Sequence, residues 1–378
     1  MVGMFVGLMA GLVIFMGVMT GLTPYFSRKS SQFGVTLPPA YQKKPEISRY
    51  QKYFLWLNTA AGILAALPMW FFAGIKDEER MAMLVSLYTV FAILIVFIVS
   101  AAGFLTIRSR MLEFKKSLPK TAFQTQKEIV VDTHFREKRL VVPNSIFIGI
   151  QLLIIVAVVA ITVMNYDTIP DRIVTNWDIN MQPSRTVPKH LGSVFAIPVM
   201  QLFMLAALTV ANRSYQKAKQ QADSRHPEIS FRKNRKFRFA SSLMLLIVSV
   251  ATQLLFALIQ TIIIFDNMER INFPLIIIIF VAVCLVLSLF VSFKYGQGGE
   301  RYRLPGEKTG EADETVAHFD DDANWKFGVF YFNKQDPSLW VEKRFSIGTS
   351  LNFANWRSWV LIGLILLLPL LLTGLLMR

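Results

Sequence analysis

The chain has 378 residues, 53% of them hydrophobic and 17% charged, with a mean hydropathy of +0.45 and a formal net charge of +15. A soluble domain carries about 25% charged residues, so the composition is that of a membrane chain, and the basic excess is read against topology before nucleic acid is invoked. The single cysteine, Cys284, sits in an apolar run, which excludes an intrachain disulfide framework and a cysteine-based zinc site.

Apolar runs near the roughly 20 residues needed to cross a bilayer recur along the chain. The first, 1–25, lacks the basic flank of a cleaved signal peptide and reads as a retained helix. Within it Gly3, Gly7 and Gly11, then Gly17 and Gly21, recur every four residues. That spacing sets small residues on one face, where a second helix or a second copy can approach closely. A basic loop, 26–52, is held extended by Pro38 and Pro39. The second span, 53–75, carries Pro68 as a kink, and the acidic turn 76–80 leads into the third, 81–107. In the loop 108–145, the valine-rich runs 128–132 and 139–142 read as a small paired strand element. The fourth span, 146–164, and the fifth, 191–211 with Pro198, flank a polar segment, 166–190. The most basic loop, 213–238, ends FRKNRKFR, with Phe231 and Phe237 interleaved among its cations. Spans six, 239–265, and seven, 274–293, are joined by a tight turn, and a soluble segment, 294–357, precedes the last span, 358–377.

Eight spans divide the loops into two sets. Those after spans one, three, five and seven hold 33 of the 40 lysines and arginines, and the rest hold 7. Basic loops stay cytoplasmic, so both termini and segment 166–190 are expected outside the cell. Every acidic residue and histidine falls in a loop or at a span end. Proton relays and coupled ion sites use such groups at membrane depth, which weighs against a proton-coupled transporter. The uncharged Gln151, Gln201, Gln253 and Gln260 are expected to hydrogen-bond between helices. The run at 232–238 is expected to meet anionic lipid headgroups.

Asp320, Asp321 and Asp322 invite a metal reading, but a calcium loop needs glycine and an acidic ligand where Trp325 and Tyr331 stand. Gly296, Gly298 and Gly299 lack the ending of a phosphate loop. No nucleophile, base and orienting group come together. Catalytic, metal and cofactor sites are accordingly expected to be none. Between 325 and 355, residues 326–333 and 339–345 alternate as strands would about an Asp336-Pro337 turn. The reading is a small aromatic hairpin carrying Trp325, Trp340, Lys343 and Arg344.

Two stretches resemble known families. Pro170, Asp171, Ile173, Trp177 and Lys189 resemble the pattern of an extracytoplasmic domain found in bacterial multi-pass proteins of unknown function and shared with immunity proteins against the sporulation-delay toxin. Asn176 stands where that pattern has a histidine, and Met181 or Gln182 where it has a glycine. Asp336, Pro337, Val341, Lys343, Arg344, Gly348, Leu351 and Asn352 resemble a C-terminal Asp-Pro/Val-x-Lys-Arg domain that accompanies the first in some bacterial membrane proteins. The immunity resemblance implies protection against a membrane-active peptide and relay to a cytoplasmic repressor.

The resulting expectation is an all-α integral membrane protein with about eight transmembrane helices and a small cytoplasmic β-hairpin element before the last. Residues 1–293 form a seven-helix region, 294–357 a cytoplasmic segment, and 358–378 the eighth helix. The expected function is binding or sensing rather than catalysis, with transport of a small or amphiphilic molecule as the alternative. Ligand recognition falls to Pro170, Asp171, Asn176, Trp177, Asp178, Arg185 and Lys189 in the outward loop. Expected partners are a bilayer with anionic headgroups, an extracellular peptide and a cytoplasmic regulator, and not nucleic acid.

Overall fold

The computed structural model describes residues 2–126, 135, 138–177, 182–265, 271–305 and 316–376. The expected strand 128–132, Asp178 and the turn residues 266–270 lie outside the described residues. The helices are α1 (Val2–Phe26), α2 (Pro45–Ala66), α3 (Met69–Phe72), α4 (Glu78–Ser117), α5 (Asn144–Met164), α6 (Leu191–Lys217), α7 (Pro227–Phe265), α8 (Phe273–Tyr295) and α9 (Trp356–Leu376). Among the described residues 8 candidate spans are long and apolar enough to cross a membrane, which fits a multi-pass membrane protein.

Local chemistry sets the helix ends. Pro45 opens α2 at a position where its missing N–H is not needed. Pro68 is more than a kink, since α2 stops at Ala66 and the chain resumes as the short α3. Asp77 caps α4 by accepting the Arg80 N–H at 3.0 Å. Pro198 leaves α6 unbroken. At their polar ends α4 and α7 outrun the apolar windows that reveal them. The 40 residues of α4 measure about 60 Å, roughly twice the hydrocarbon core of a bilayer. The basic run 213–238 is therefore mostly helix, because α6 continues to Lys217 and α7 starts at Pro227. The expected strand at 139–142 is absent, and Leu140 and Val141 instead pack with Phe135 in a small core.

Helix packing falls into two groups. In the first, α1 and α2 pair closely and both pack on α4. A Cβ at Gly17 would fall 2.5 Å from the Asn58 carbonyl oxygen, so here the α1 and α2 backbones touch. Gly21 meets Leu55 in the same way, whereas a Cβ at Gly3, Gly7 or Gly11 would meet nothing within 4 Å. In the second group α5, α6 and α7 pack mutually, α9 lies on α6 and α8 on α7. Buried glutamines tie this group together. Gln201 and Gln253 each donate to the other's backbone carbonyl at 3.1 Å, and Gln260 donates to Thr162 and to the Val194 carbonyl.

At one end of both groups the loops after α1, α4, α6 and α8 converge. The first contributes a small hairpin, β1 (Ser31–Gln32) with β2 (Val35–Thr36). Its Phe33, Val35 and Leu37 enter a core with Phe54 of α2 and Phe104, Ile107 and Met111 of α4. Phe345 from the far end of the chain stacks into the same core, 4.6 Å from Phe104 between ring centres. The opposite end carries the hairpin β3 (Arg172–Trp177) with β4 (Pro183–Pro188).

Before α9 the strand pairing differs from expectation. The strands β5 (Trp325–Lys326) and β6 (Phe330–Tyr331) pair about Gly328, and β7 (Trp340–Glu342) pairs with β8 (Thr349–Leu351) about Gly348. Asp336-Pro337 thus connects two small hairpins rather than closing one. Gly328 and Gly348 hold φ of 76° and 108°, the left-handed region that favours glycine.

Candidate functional site

The β3–β4 hairpin stands on an apolar foot. Ile169, Ile173 and Val187 pack against Val194 of α6 and Ile264 of α7. Lys189 is spent on this foot: its ammonium donates to the Ile169 carbonyl at 2.9 Å and lies 4.9 Å from the centre of the Tyr166 ring. Pro170 is half-buried beside it, and the exposed Asp171 gives its backbone carbonyl to the Lys189 N–H. Asn176 and Arg185 face each other across the ladder and are exposed, while Trp177 is half-buried opposite Pro183. The register slips on both sides of Asn176, a bulge that redirects neighbouring side chains. Five of the expected recognition residues, Pro170, Asp171, Asn176, Trp177 and Arg185, therefore stay on one small element, and Lys189 holds its base. The hairpin also starts α6, because His190 and Ser193 form a reciprocal cap and Ser193 Oγ donates to the Pro188 carbonyl at 2.9 Å.

The opposite face holds a second constellation, which sequence reading misses. Its centre is Glu342 on β7, the variable position inside Val-x-Lys-Arg. One carboxylate oxygen pairs with Arg28, just after α1, and the other accepts from Arg238 at 2.7 Å and Asn234 at 2.8 Å. The side chains of Arg28, Arg238 and Glu342 are each only 1% exposed. Burial pushes the Glu342 carboxyl up, but Arg238 and Arg28 outweigh it and hold the group below the ordinary glutamate value. Asn234 and Arg238 are four residues apart on α7 and so share a face.

Arg344 anchors a second knot. Its guanidinium pairs with Asp321 and Asp322 and lies over the Trp325 ring, 5.2 Å from its centre. Asp322 also accepts from the Thr36 hydroxyl at 2.6 Å and from Lys115 of α4 at 2.7 Å. Burial raises the Asp322 carboxyl, yet Arg344 and Lys115 prevail and bring it to about 2. The acidic triplet is thus consumed by internal pairing rather than left as a solvated turn. Gly34 and Gly328 lie against each other beneath Arg108, which donates to the Gly34 carbonyl at 2.5 Å.

Ser30, His318 and Glu300 superficially suggest a catalytic trio. Ser30 Oγ lies 2.6 Å and Glu300 Oε1 3.7 Å from the same ring nitrogen, Nδ1 of His318. A nucleophile and its orienting acid need opposite nitrogens, so this is a buried polar link. Burial, aided by Arg28 and Arg344, holds His318 well below the ordinary histidine value, and burial raises the Glu300 carboxyl.

The expected hairpin residues divide accordingly. Trp325 is 2% exposed and points inward with Tyr331, and Arg344 joins the acidic knot. Asp336 accepts from Lys219, Tyr331 and the Ser338 N–H, while Pro337 is exposed. Lys343 gives its backbone carbonyl to Arg28, and burial lowers its ammonium below the usual lysine value. Trp340 is half-buried between α6 and α9. Part of the basic run at 231–238 also turns inward. Asn234, Phe237 and Arg238 are buried, and Arg232, Arg235 and Lys236 remain exposed.

Two family models match the chain. A domain of unknown function, DUF1648, covers residues 153–202, from the middle of α5 through the β3–β4 hairpin into α6. A family of unknown function, DUF5808, covers residues 334–359, from the Asp336-Pro337 connection through Glu342 to the start of α9. No curated protein and no solved structure matches the chain.

Proposed function

We propose that this chain is a membrane-embedded binding and sensing protein whose outer hairpin recognises a membrane-active peptide or similar amphiphile. The observation that carries the reading is mechanical. The hairpin has a fixed apolar foot and an exposed outer part, and it caps the start of a helix that reaches the opposite face. There α6 is bonded to the converged loops through Ser214 Oγ and Thr349 Oγ1, 2.7 Å apart, and through the Tyr215 carbonyl, which accepts from Arg238. A ligand that shifts the hairpin thereby acts on a helix joined to the Glu342 cluster, the natural place for a cytoplasmic regulator to read the change. The immunity resemblance supports the same class of ligand. Orientation with both termini outside is supported by the basic loops sharing one face. The transport alternative draws less support, because the intramembrane glutamines are engaged in joining α5, α6 and α7.

The test is Trp177→Ala combined with Asp178→Ala. The double variant is expected to insert at normal levels and to abolish the response to a membrane-active peptide. Wild-type behaviour of well-inserted double variant under peptide challenge would leave the hairpin as a cap over the bundle.

A further inference from the structure

We propose that the groove between α6 and α9, at the face where the basic loops converge, binds one anionic phospholipid. This does not rest on the hairpin reading, since the groove lies at the other end of α6. The two helices run antiparallel: Trp356 and Arg357 at the start of α9 stand beside Arg213 and Lys217 near the end of α6, while Gly192 at the start of α6 lies against the Leu376 carbonyl. Between them opens a cavity of about 1010 Å³, flanked by Trp340 of β7. Ligand pockets typically measure roughly 300–1,000 Å³.

The lining changes character along both helices in the same sense. On α6, Val210, Arg213 and Lys217 follow one another at three and four residues and so share a face. On α9, Arg357 is followed by Val360, Leu361 and Leu364 on the groove side. The cations of Arg213, Lys217 and Arg357 thus gather at the mouth, and one to two turns deeper the walls are aliphatic. Trp340 and Trp356 sit at the change of level, where tryptophan favours the boundary between headgroup and hydrocarbon.

Charge decides the occupant. Arg213, Lys217 and Arg357 are exposed, and among the described residues none of them has a carboxylate within salt-bridge distance. Nearby Lys219, by contrast, is paired with Asp336 at 2.8 Å. Unneutralised cations above an aliphatic slot complement a phosphodiester joined to acyl chains. A guanidinium matches phosphate oxygens in planar fashion, and the slot accepts the first methylenes. A zwitterionic headgroup would bring its own cation against three others.

The experiment uses the full chain, purified in mild detergent and titrated with phosphatidylglycerol, phosphatidylcholine or glycerol phosphate, with bound lipid counted by native mass spectrometry. One phosphatidylglycerol per chain is expected, with phosphatidylcholine binding far more weakly. Arg213→Gln with Lys217→Gln is expected to weaken it by roughly thirtyfold. Val360→Trp, which fills the slot without touching a charge, should also abolish the tight equivalent. The same charge change at exposed Arg49→Gln with Lys52→Gln should leave it intact. Lipid-free thermal unfolding confirms that each variant is folded. Retention of the tight lipid by the Val360→Trp or double-glutamine variant overturns the proposal. Equal binding of phosphatidylcholine overturns it in favour of ordinary surrounding lipid, and full competition by glycerol phosphate in favour of a free phosphate site.

Discussion

Glu342 shows how a charge can be afforded in the interior. A carboxylate withdrawn from water loses several kcal/mol of solvation, and here two guanidiniums and an amide replace the lost water. None of Arg28, Arg238 or Glu342 is tolerable alone, so the effect of removing one is set by the charges left behind. Glu342→Gln keeps the size of the side chain and an oxygen for Asn234, yet removes the carboxylate that two buried guanidiniums share. The expected loss is about 3–5 kcal/mol, read as a lower unfolding midpoint in mild detergent or as failure to accumulate in the membrane. Asp320→Asn provides the contrast. That side chain is 30% exposed, and Lys115 retains Asp322 at 2.7 Å without it, so the change should stay within about 1 kcal/mol. Similar losses in the two variants would mean that the Glu342 cluster is no more than a surface network.

At the scale of elements, the glycine stripe of α1 divides into two halves with different physics. Gly17 is in backbone contact with α2, whereas Gly7 faces open space in the monomer. Gly17→Ala is expected to push α1 from α2 and lower the unfolding midpoint, while Gly7→Ala is neutral or slightly stabilising because alanine favours helix. An intact midpoint in Gly17→Ala would deny the close α1–α2 packing, and a drop in Gly7→Ala would point to a partner on that face. The same contrast shows what the sequence made legible. Hydropathy locates the hydrocarbon, so all eight spans could be read, but it does not mark where a helix stops. The charged turns of α4 as far as Ser117, and of α7 from Pro227, are invisible to it. Alternation suggested strands on either side of Asp336-Pro337, but a turn at Phe327-Gly328 divides the first, and the second shortens to β7 and turns at Ser346 to Gly348 to pair with β8, with positive φ at these glycines. The glycines were the available signal. Grouping Pro170, Asp171, Asn176, Trp177 and Arg185 in one short segment needed only local reading, whereas the Glu342 cluster joins residues 314 positions apart, which no local pattern encodes.

On the scale of the whole molecule, the fold is two helix groups fastened at one end. Arg28 follows α1, Lys115 and Arg108 belong to α4, Asn234 and Arg238 to α7, and all meet side chains or backbone of the converged loops. That convergence requires the loops after α1, α4, α6 and α8 to share a face, as an even number of crossings demands. The same loops are rich in lysine and arginine, so the arrangement and the charge bias support the same proposed orientation. The prediction is that the ionic face is cytoplasmic and the outer hairpin is not. In a Cys284→Ser background, single cysteines are placed at Ser184 on the hairpin and Gln335 on the ionic face, both exposed. An impermeant thiol reagent should label Ser184→Cys in intact cells, spare Gln335→Cys, and label both once the membrane is opened. The reverse pattern in intact cells would invert the protein and remove the hairpin from any extracellular ligand. Labelling of both sites in intact cells would be the more damaging result, since the hairpin and the Glu342 cluster could not then cap opposite ends of α6 across a bilayer.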